Sequence, residues 1–248
     1  MIVSVVNRSG GRLSDAEILR SIRAVNRQVE EDFQPYWGFG ATLRLEGRTG
    51  AGRRRFTQSD MRGDAVLYVV DGVDVDGAEG FHESTYSGIP YGIVFLGVAA
   101  KLDEEWTVTF SHEALELIAD PEANLLVQGP HPTDARRRVF HWFEMCDAVQ
   151  TETYCVDGIR VSNFVLPLYF TSSEERGGRN DFFGTTGGQS LRSFGVNPGG
   201  YIGFYDPRRR TNVTYFAKDD EIAAQRARIK RRLRTGRGSL RRRRTSGR

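Results

Sequence analysis

Cysteine is scarce in this chain, with two residues, Cys146 and Cys155, among 248. Two cysteines exclude the disulfide-dense scaffold of a small secreted domain, and they suit a reducing compartment. Long apolar runs are also missing, since none approaches the roughly 18 residues that a membrane span needs. The first residues carry no basic segment ahead of a long apolar stretch and no small-residue cleavage site. These absences predict a soluble, cytoplasmic protein that does not engage a membrane.

Lysine is equally rare, with 3 residues against 32 arginines. The net charge of +3 hides an uneven distribution, because residues 226–248 hold twelve basic side chains and no acidic one. Residues 1–225 carry 23 basic and 32 acidic side chains, which is a net charge of −9. We therefore predict one acidic globular domain over 1–225 and an Arg-rich basic tail over 226–248 that is disordered.

The arginines of this tail are clustered without interleaved aromatic residues. Such clusters contact phosphate backbones with low sequence specificity, and they can equally bind acidic protein surfaces, including this protein's own domain. Nucleic acid is thus one expected partner of the tail, and an acidic surface is the alternative. The arginines expected to make these contacts are Arg231, Arg232, Arg234, Arg241, Arg242, Arg243 and Arg244.

The first half of the chain alternates between strand and helix patterns. The β-branched residues 2–6 predict a strand, and the capping box of Ser14 and Glu17 predicts a helix that ends at Pro35. A loop is expected over 47–55. The remaining elements predicted here are strands over about 41–46, 65–70 and 93–98, a ragged edge strand over about 80–87, and a helix over about 107–119 that is stopped by Pro121.

The second half is less regular, and we expect a loop-rich lower part over about 121–217. Nine glycines between residues 177 and 203 predict loops and hairpins there. Residues 140–147 are interpreted as helical. A basic helix is predicted over about 219–233, leading into the tail.

The helix over 107–119 carries a narrow polar stripe. At about 100° per residue, its polar side chains fall within an arc of about 100° and the remaining circumference is apolar. A stripe this narrow is expected to line a cleft. His112 and Glu116 are four residues apart, so both can bind one metal ion, and Glu113 can accept the proton of a metal-bound water.

The segment His112-Glu113-x-x-Glu116 resembles the active-site helix of the zincin metallopeptidases, whose signature is His-Glu-x-x-His. The order of the preceding elements is similar to that of the metzincin branch, so the resemblance covers roughly residues 1–120. It implies a zincin-like α+β fold: a mixed twisted sheet with an N-terminal backing helix and an active-site helix, followed by a loop-rich lower subdomain. It also implies a metal-dependent hydrolase that attacks a peptide or protein substrate lying along the edge strand, with Glu113 as general base.

This sequence departs from the family pattern at Glu116, which replaces the second histidine, and the third histidine of metzincins is absent. A site with one histidine and two carboxylates offers harder, more oxygen-rich ligands to a metal ion than a histidine-rich site does. We therefore expect one divalent ion, zinc first, with manganese or calcium as alternatives.

The third ligand is predicted to be Glu144. In thermolysin-like zincins a downstream helix supplies a glutamate ligand, and a nearby aspartate orients the first histidine. Glu144 and Asp147 look similar in type. Asp120 and Asp147 are therefore expected to hold the ligands by hydrogen bonds.

Several other side chains are weaker candidates. His131 and His141 are alternative ligands, although each is more readily explained as a satisfied polar residue. Cys146 is a ligand as a thiolate or simply a small buried side chain. The acidic turn over 71–77 has the carboxylate spacing of a calcium loop but is better explained as a strand-end turn. An oxyanion stabiliser could come from Tyr86, Tyr91, Tyr169 or Tyr201.

Three interpretations of the site remain open from the sequence. The first is a metal-dependent peptidase or related hydrolase. The second is a non-catalytic, metal-stabilised zincin-like module that the basic tail tethers to nucleic acid or to a larger assembly. The third is a structural acidic cluster that holds no ion.

Overall fold

The chain folds into a mixed α+β structure, which a computed structural model describes for residues 1–46, 63–72, 80–85, 87–171, 178–184, 191–217 and 220–226. The helical elements are α1 (Asp15–Arg27), a π-helical turn (Gln28–Phe33), α2 (Gln34–Trp37), α3 (Leu96–Lys101), α4 (Trp106–Ala119) and two short 3₁₀ turns (Asp147–Val149 and Pro167–Phe170). The strands are β1 (Ile2–Arg8), β2 (Thr42–Glu46), β3 (Ala65–Val70), β4 (Gly80–Ser84), β5 (Pro90–Phe95), β6 (Leu126–His131), β7 (Asp134–Trp142), β8 (Thr153–Val156), β9 (Ile159–Ser162), β10 (Ile202–Asp206) and β11 (Thr211–Tyr215).

A five-stranded sheet forms the N-terminal half, in the order β2-β1-β3-β5-β4. Neighbouring strands run parallel except at one edge, where β4 is antiparallel to β5. The central strand β3 is almost completely buried. Its Leu67 side chain belongs to the main hydrophobic cluster, and Val66 and Tyr68 on the opposite face belong to a second, smaller cluster. Helix α4 packs against two strands of this sheet, the edge strand β4 and its neighbour β5.

The C-terminal half contains two smaller antiparallel units. One is a four-stranded sheet in the order β11-β10-β7-β6, and the other is the hairpin β8-β9. Side chains from both halves join one hydrophobic cluster, in which Val5 and Leu115 belong to the first half and Met145, Val161 and Phe164 belong to the second. The helix α4 lies inside this cluster and also packs against β9.

Most predicted elements of the first half are confirmed. Ser14 and Glu17 form the predicted capping box, in which the Ser14 amide donates to Glu17 Oε2 at 2.7 Å. The predicted edge strand is β4, and the helix predicted over 107–119 is α4. The coarse α+β class is therefore correct. The loop predicted over 47–55 lies outside the described residues.

Two predicted boundaries are wrong. The first helical run does not stop at Pro35: a π-helical turn widens it, and the proline falls in the first turn of α2, where its missing N–H is tolerated. The run ends at Gly38, whose φ of 74° suits a glycine C-cap. The strand predicted over 93–98 ends at Phe95, and the next residues form α3.

The helix predicted over 140–147 is also wrong, because β7 extends to Trp142. Valine and aromatic residues at 139–142 favour a strand, and β6 and β10 offer pairing on both sides. Beyond Tyr215, residues 221–226 are helical, and the rest of the helix predicted over 219–233 lies outside the described residues. In the described ranges, no helix has the length and apolar character needed to cross a membrane.

Candidate metal centre

Helix α4 places three polar side chains in the interior. Glu113 and Glu116 are 4% and 3% exposed, although carboxylates are seldom buried unless they are paired. The side chain of His112 is 13% exposed. The apolar residues on the other sides of α4 pack into the hydrophobic cluster and hold the helix rigid. The polar stripe predicted from the sequence therefore faces other protein groups rather than bulk solvent.

His112 and Glu116 contact each other, as their spacing predicts. His112 Nε2 lies 3.2 Å from Glu116 Oε2 and 3.3 Å from Asp147 Oδ1. The backbone N–H of Cys146 donates to Glu116 Oε1 at 3.1 Å, so the loop after β7 orients this carboxylate. The thiol of Cys146 lies 3.9 Å from the carbonyl oxygen of His112. The loop thus places both Asp147 and Cys146 next to His112.

A second histidine, His82, enters the cluster from the edge strand β4. Its Nδ1 lies 3.7 Å from Glu116 Oε2 and 3.9 Å from Glu113 Oε2, and its Nε2 lies 3.8 Å from Glu144 Oε2. The residue is 3% exposed. Sequence analysis missed His82, which is the clearest difference between the predicted and the observed centre.

A pattern in β4 could have revealed His82. Residues two apart on a strand share a face, so Gly80 and His82 both point towards α4. A Cβ atom at Gly80 would lie 2.5 Å from Glu113 Cγ and Oε1. Glycine at this position therefore leaves the space that the Glu113 side chain occupies. A Gly-x-His pattern on an edge strand next to a His-Glu helix was the available signal.

The potential ligand atoms form two groups, within each of which they lie no more than 4.8 Å apart. One group is His112, Glu116 and Cys146, and the other is His82, Glu116 and Glu144. Ligand atoms bound at about 2.1 Å to a tetrahedral ion lie roughly 3.4 Å apart, so these distances suit a metal ion. Glu144 therefore joins His82 rather than His112, and the three predicted ligands do not form one group.

The buried polar atoms of the centre include His82 Nε2 and Glu113 Oε2, neither of which makes a hydrogen bond within the described part of the protein. Leaving a buried donor or acceptor unsatisfied costs about 1–3 kcal/mol, so such atoms are uncommon in a folded protein. Their position beside the second ligand group is consistent with a cation as the missing partner.

Burial and the surrounding carboxylates act in opposite directions on the two histidines. Burial lowers the pKa of His82, but the neighbouring carboxylates, Glu144 above all, more than offset it and raise the pKa to about 9. Burial also lowers the pKa of His112, and Glu116 and Asp147 raise it well above its usual value. The neighbouring carboxylates thus favour the protonated form of both imidazoles, and a metal ion bound by either ring would have to displace that proton.

Burial and neighbouring charges also shift the pKa values of the carboxyl groups, in different directions. Burial raises the pKa of Glu113 and of Asp147. Burial also acts to raise the pKa of Glu116, but His112 outweighs it, and the net pKa of Glu116 is lowered. The two carboxyl groups of the stripe therefore differ in the direction of their pKa shifts, because burial dominates at Glu113 and the neighbouring His112 dominates at Glu116.

The remaining predicted site residues occupy other places. Asp120 Oδ2 accepts a hydrogen bond from the Leu125 amide at 2.8 Å, so this aspartate closes the turn after α4. His141 Nε2 contacts the Pro130 carbonyl oxygen at 2.9 Å, and its ring packs on Phe194. His131 packs on the ring of Phe204. Among the described residues, neither ligand group includes Asp120, His131 or His141.

Of the four tyrosines considered, Tyr201 lies at the centre, where its hydroxyl donates a hydrogen bond to Asp147. Tyr91 hydrogen-bonds to Glu83, and Tyr169 hydrogen-bonds to the backbone of Gly195. Tyr86 lies outside the described residues.

The acidic turn and the start of the tail each contain a residue that forms an ion pair. Asp71 pairs with Arg12 at 2.9 Å, as a strand-end residue would, and residues 73–77 of the turn lie outside the described residues. At the start of the tail, Arg226 pairs with Glu104 at 3.1 Å. The arginines expected to bind nucleic acid, from Arg231 to Arg244, also lie outside the described residues.

Comparisons with other proteins add no family to this geometry. No protein-family model, no curated protein and no solved structure matched the chain at a significant level.

Proposed function

We propose that this protein is a metal-dependent hydrolase of the peptidase type, with a divalent ion held by His112 and Glu116. One observation carries the proposal: the adjacent side chains of His112 and Glu113, both little exposed, lie beside further ligand atoms on α4, on β4 and in the loop after β7. A cluster of buried ionisable groups is costly unless it is paired, and a cation provides the pairing. Zinc fits first because histidine and thiol ligands are both present, and manganese is the alternative.

The fold supports the zincin resemblance at the level of element order. A helix-backed parallel sheet ends in an antiparallel edge strand, and α4 runs beside that edge. In the proposal, an extended substrate pairs with the side of β4 that faces away from β5, where no described strand lies, as peptides commonly add to sheet edges. The scissile carbonyl would then lie over the centre of α4.

The protein groups divide the chemistry as follows. A bound ion would polarise the substrate carbonyl and lower the pKa of its water ligand. Glu113 would accept the proton of that water, for which its raised pKa suits it, at Oε2, an atom with no hydrogen bond to any described residue. Asp147 Oδ1 lies 3.3 Å from the same His112 Nε2 that would bind the ion, so this carboxylate would lie beside the ion, and the Tyr201 hydroxyl holds it there by donating to it.

The test uses the full-length protein and the variant Glu113→Gln. Mass spectrometry of the metal content should show stoichiometric metal in both proteins, and hydrolysis of a peptide library should occur with the wild type alone. The matched control is Glu105→Gln, since the Glu105 side chain is 61% exposed at the start of the same helix. The proposal fails if the wild type binds no stoichiometric zinc or manganese and neither metal changes its thermal stability.

The low exposure of the centre favours one alternative function. Glu113 and Glu116 are almost completely buried, which also suits a metal that stabilises the fold without catalysis. In this case the basic tail would tether the module to nucleic acid or to an acidic surface. Metal would then raise the melting temperature, no peptide would be cleaved, and Glu113→Gln would behave like the wild type. Truncation after Gln225 would abolish salt-sensitive binding to nucleic acid.

A further inference from the structure

The two ligand groups meet at a single oxygen atom. Glu116 Oε2 lies 3.2 Å from His112 Nε2 and 3.7 Å from His82 Nδ1, so two imidazoles reach the same atom from α4 and from β4. The other oxygen, Oε1, accepts the hydrogen bond from Cys146. The carboxylate is therefore held between two sets of potential ligands, and these sets have only Glu116 in common.

We propose that the centre holds two divalent cations bridged by the Glu116 carboxylate. The first cation is the one in the proposed function, on which this inference rests, and His112 binds it. The second cation lies among His82, Glu116 and Glu144. This second site adds one histidine and one carboxylate to the motif on α4, and it binds the same class of ion, zinc or manganese.

A buried nitrogen atom of the His82 side chain is a further observation that favours the second cation. The side chain is 2% exposed, and its Nε2 atom, which makes no hydrogen bond to any described residue, points at Glu144 Oε2 from 3.8 Å. A buried imidazole nitrogen normally has a hydrogen-bond partner or binds a metal. The distance from Nε2 to the glutamate is too long for a hydrogen bond but suits two ligands of one ion.

The number of acidic side chains also favours two ions over one. Glu113, Glu116, Glu144 and Asp147 surround the two histidines, and Cys146 adds a thiol to the first ligand group. Burying so many ionisable groups is costly unless cations pair with them. Two metal ions at such a centre could bind both the attacking water and the carbonyl oxygen of a hydrolysed peptide.

The competing arrangement is a single ion bound by both histidines and Glu116. The two arrangements predict different results for single substitutions. With two ions, removing one histidine leaves the other ion bound. With one shared ion, removing either histidine releases the only metal.

The experiment titrates full-length, chelator-treated protein with zinc and measures bound metal by mass spectrometry after desalting. We expect two zinc ions per wild-type chain, one in His82→Gln, one in His112→Gln, and two in the control Glu105→Gln. One zinc in the wild type, lost completely in either histidine variant, would overturn the two-ion centre and leave the proposed function intact. No bound zinc in the wild type would overturn both.

A spectroscopic measurement avoids any dependence on the variants. Wild-type protein saturated with manganese should give the electron paramagnetic resonance signal of an exchange-coupled pair, because a shared carboxylate couples the two spins. The signal of isolated manganese alone would contradict the bridge. Circular dichroism identifies any variant that fails to fold, and in that case the wild-type stoichiometry and this signal decide.

Discussion

The substitution Gly80→Ala is the most direct test of the contact between β4 and α4. The added Cβ would lie 2.5 Å from Glu113 Cγ and Oε1, whereas an ordinary contact between such atoms is about 3.5–4.0 Å. The Glu113 side chain must therefore move by about 1 Å. Gly80 does not have a positive φ, so the backbone tolerates alanine and the effect is steric.

The expected cost follows from this overlap. Inserting a methyl group into a packed interior destabilises a protein by about 1–3 kcal/mol, which for a chain of this size lowers the melting temperature by roughly 2–12 °C. Because a misplacement of 1 Å in a reacting group can cost about 100-fold in rate, hydrolysis should fall by a similar factor. Metal content should not change, since Glu113 is not a proposed ligand. Differential scanning calorimetry and metal analysis measure these effects.

Two further variants separate this explanation from a general loss of stability. Gly72→Ala is the matched control, because a Cβ there would lie 4.0 Å from its nearest neighbour, Phe95. The double variant Gly80→Ala/Glu113→Asp shortens the displaced side chain and should recover part of the lost stability, as coupled neighbours do. A wild-type melting temperature for Gly80→Ala, or an equal loss in Gly72→Ala, would refute the reasoning.

Two other predictions concern stability away from the metal centre. Burial lowers the pKa of His141 to about 4 in the folded protein, whereas the unfolded chain binds a proton at this residue below about pH 6.5. The folded state is therefore favoured fully above about pH 6.5, where His141 is neutral in both states. Between pH 7 and pH 5 the free energy of unfolding should fall by roughly 2 kcal/mol because of this residue. Urea unfolding at the two pH values should show a smaller loss in His141→Gln, and an unchanged loss would contradict the assignment. Gln28 donates to the Ser162 carbonyl at 2.8 Å and accepts from Ser111 at 2.7 Å, so Gln28→Ala should cost about 3 kcal/mol in the free energy of unfolding because buried partners lose their hydrogen bonds. Exposed Gln128 is the control: Gln128→Ala should cost much less, and similar costs for both variants would count against the buried network.

Local patterns were sufficient for the first half of the fold. The capping box at Ser14 identified the start of α1 because capping depends on residues three apart. The continuous apolar run 65–70 predicted a strand buried on both faces, because a strand with one face in solvent would alternate apolar and polar residues. The periodicity of the α-helix also predicted that His112 and Glu116 would contact each other, since residues four apart on a helix share a face.

The same reasoning failed where the partner of a segment decides its structure. The valine and aromatic residues of 139–142 become a strand because β6 and β10 pair with them, and neither neighbour can be identified from that segment alone. Glu144 was predicted as a ligand together with His112 and Glu116, and it belongs to the candidate ligand group of His82 and Glu116. Its place in a loop puts it beside His82, whereas the predicted helix would have grouped it with His112.

The sequence by itself determined the helix that carries the chemistry, because His112, Glu113 and Glu116 are close along the chain and helical geometry alone aligns them. Only the tertiary structure decided which residues complete the centre. His82 is 30 residues before His112, and it reaches Glu116 because β4 lies antiparallel at the edge of the sheet beside α4. That arrangement is a result of packing the whole hydrophobic core, and no local pattern encodes the distance between a strand and a helix.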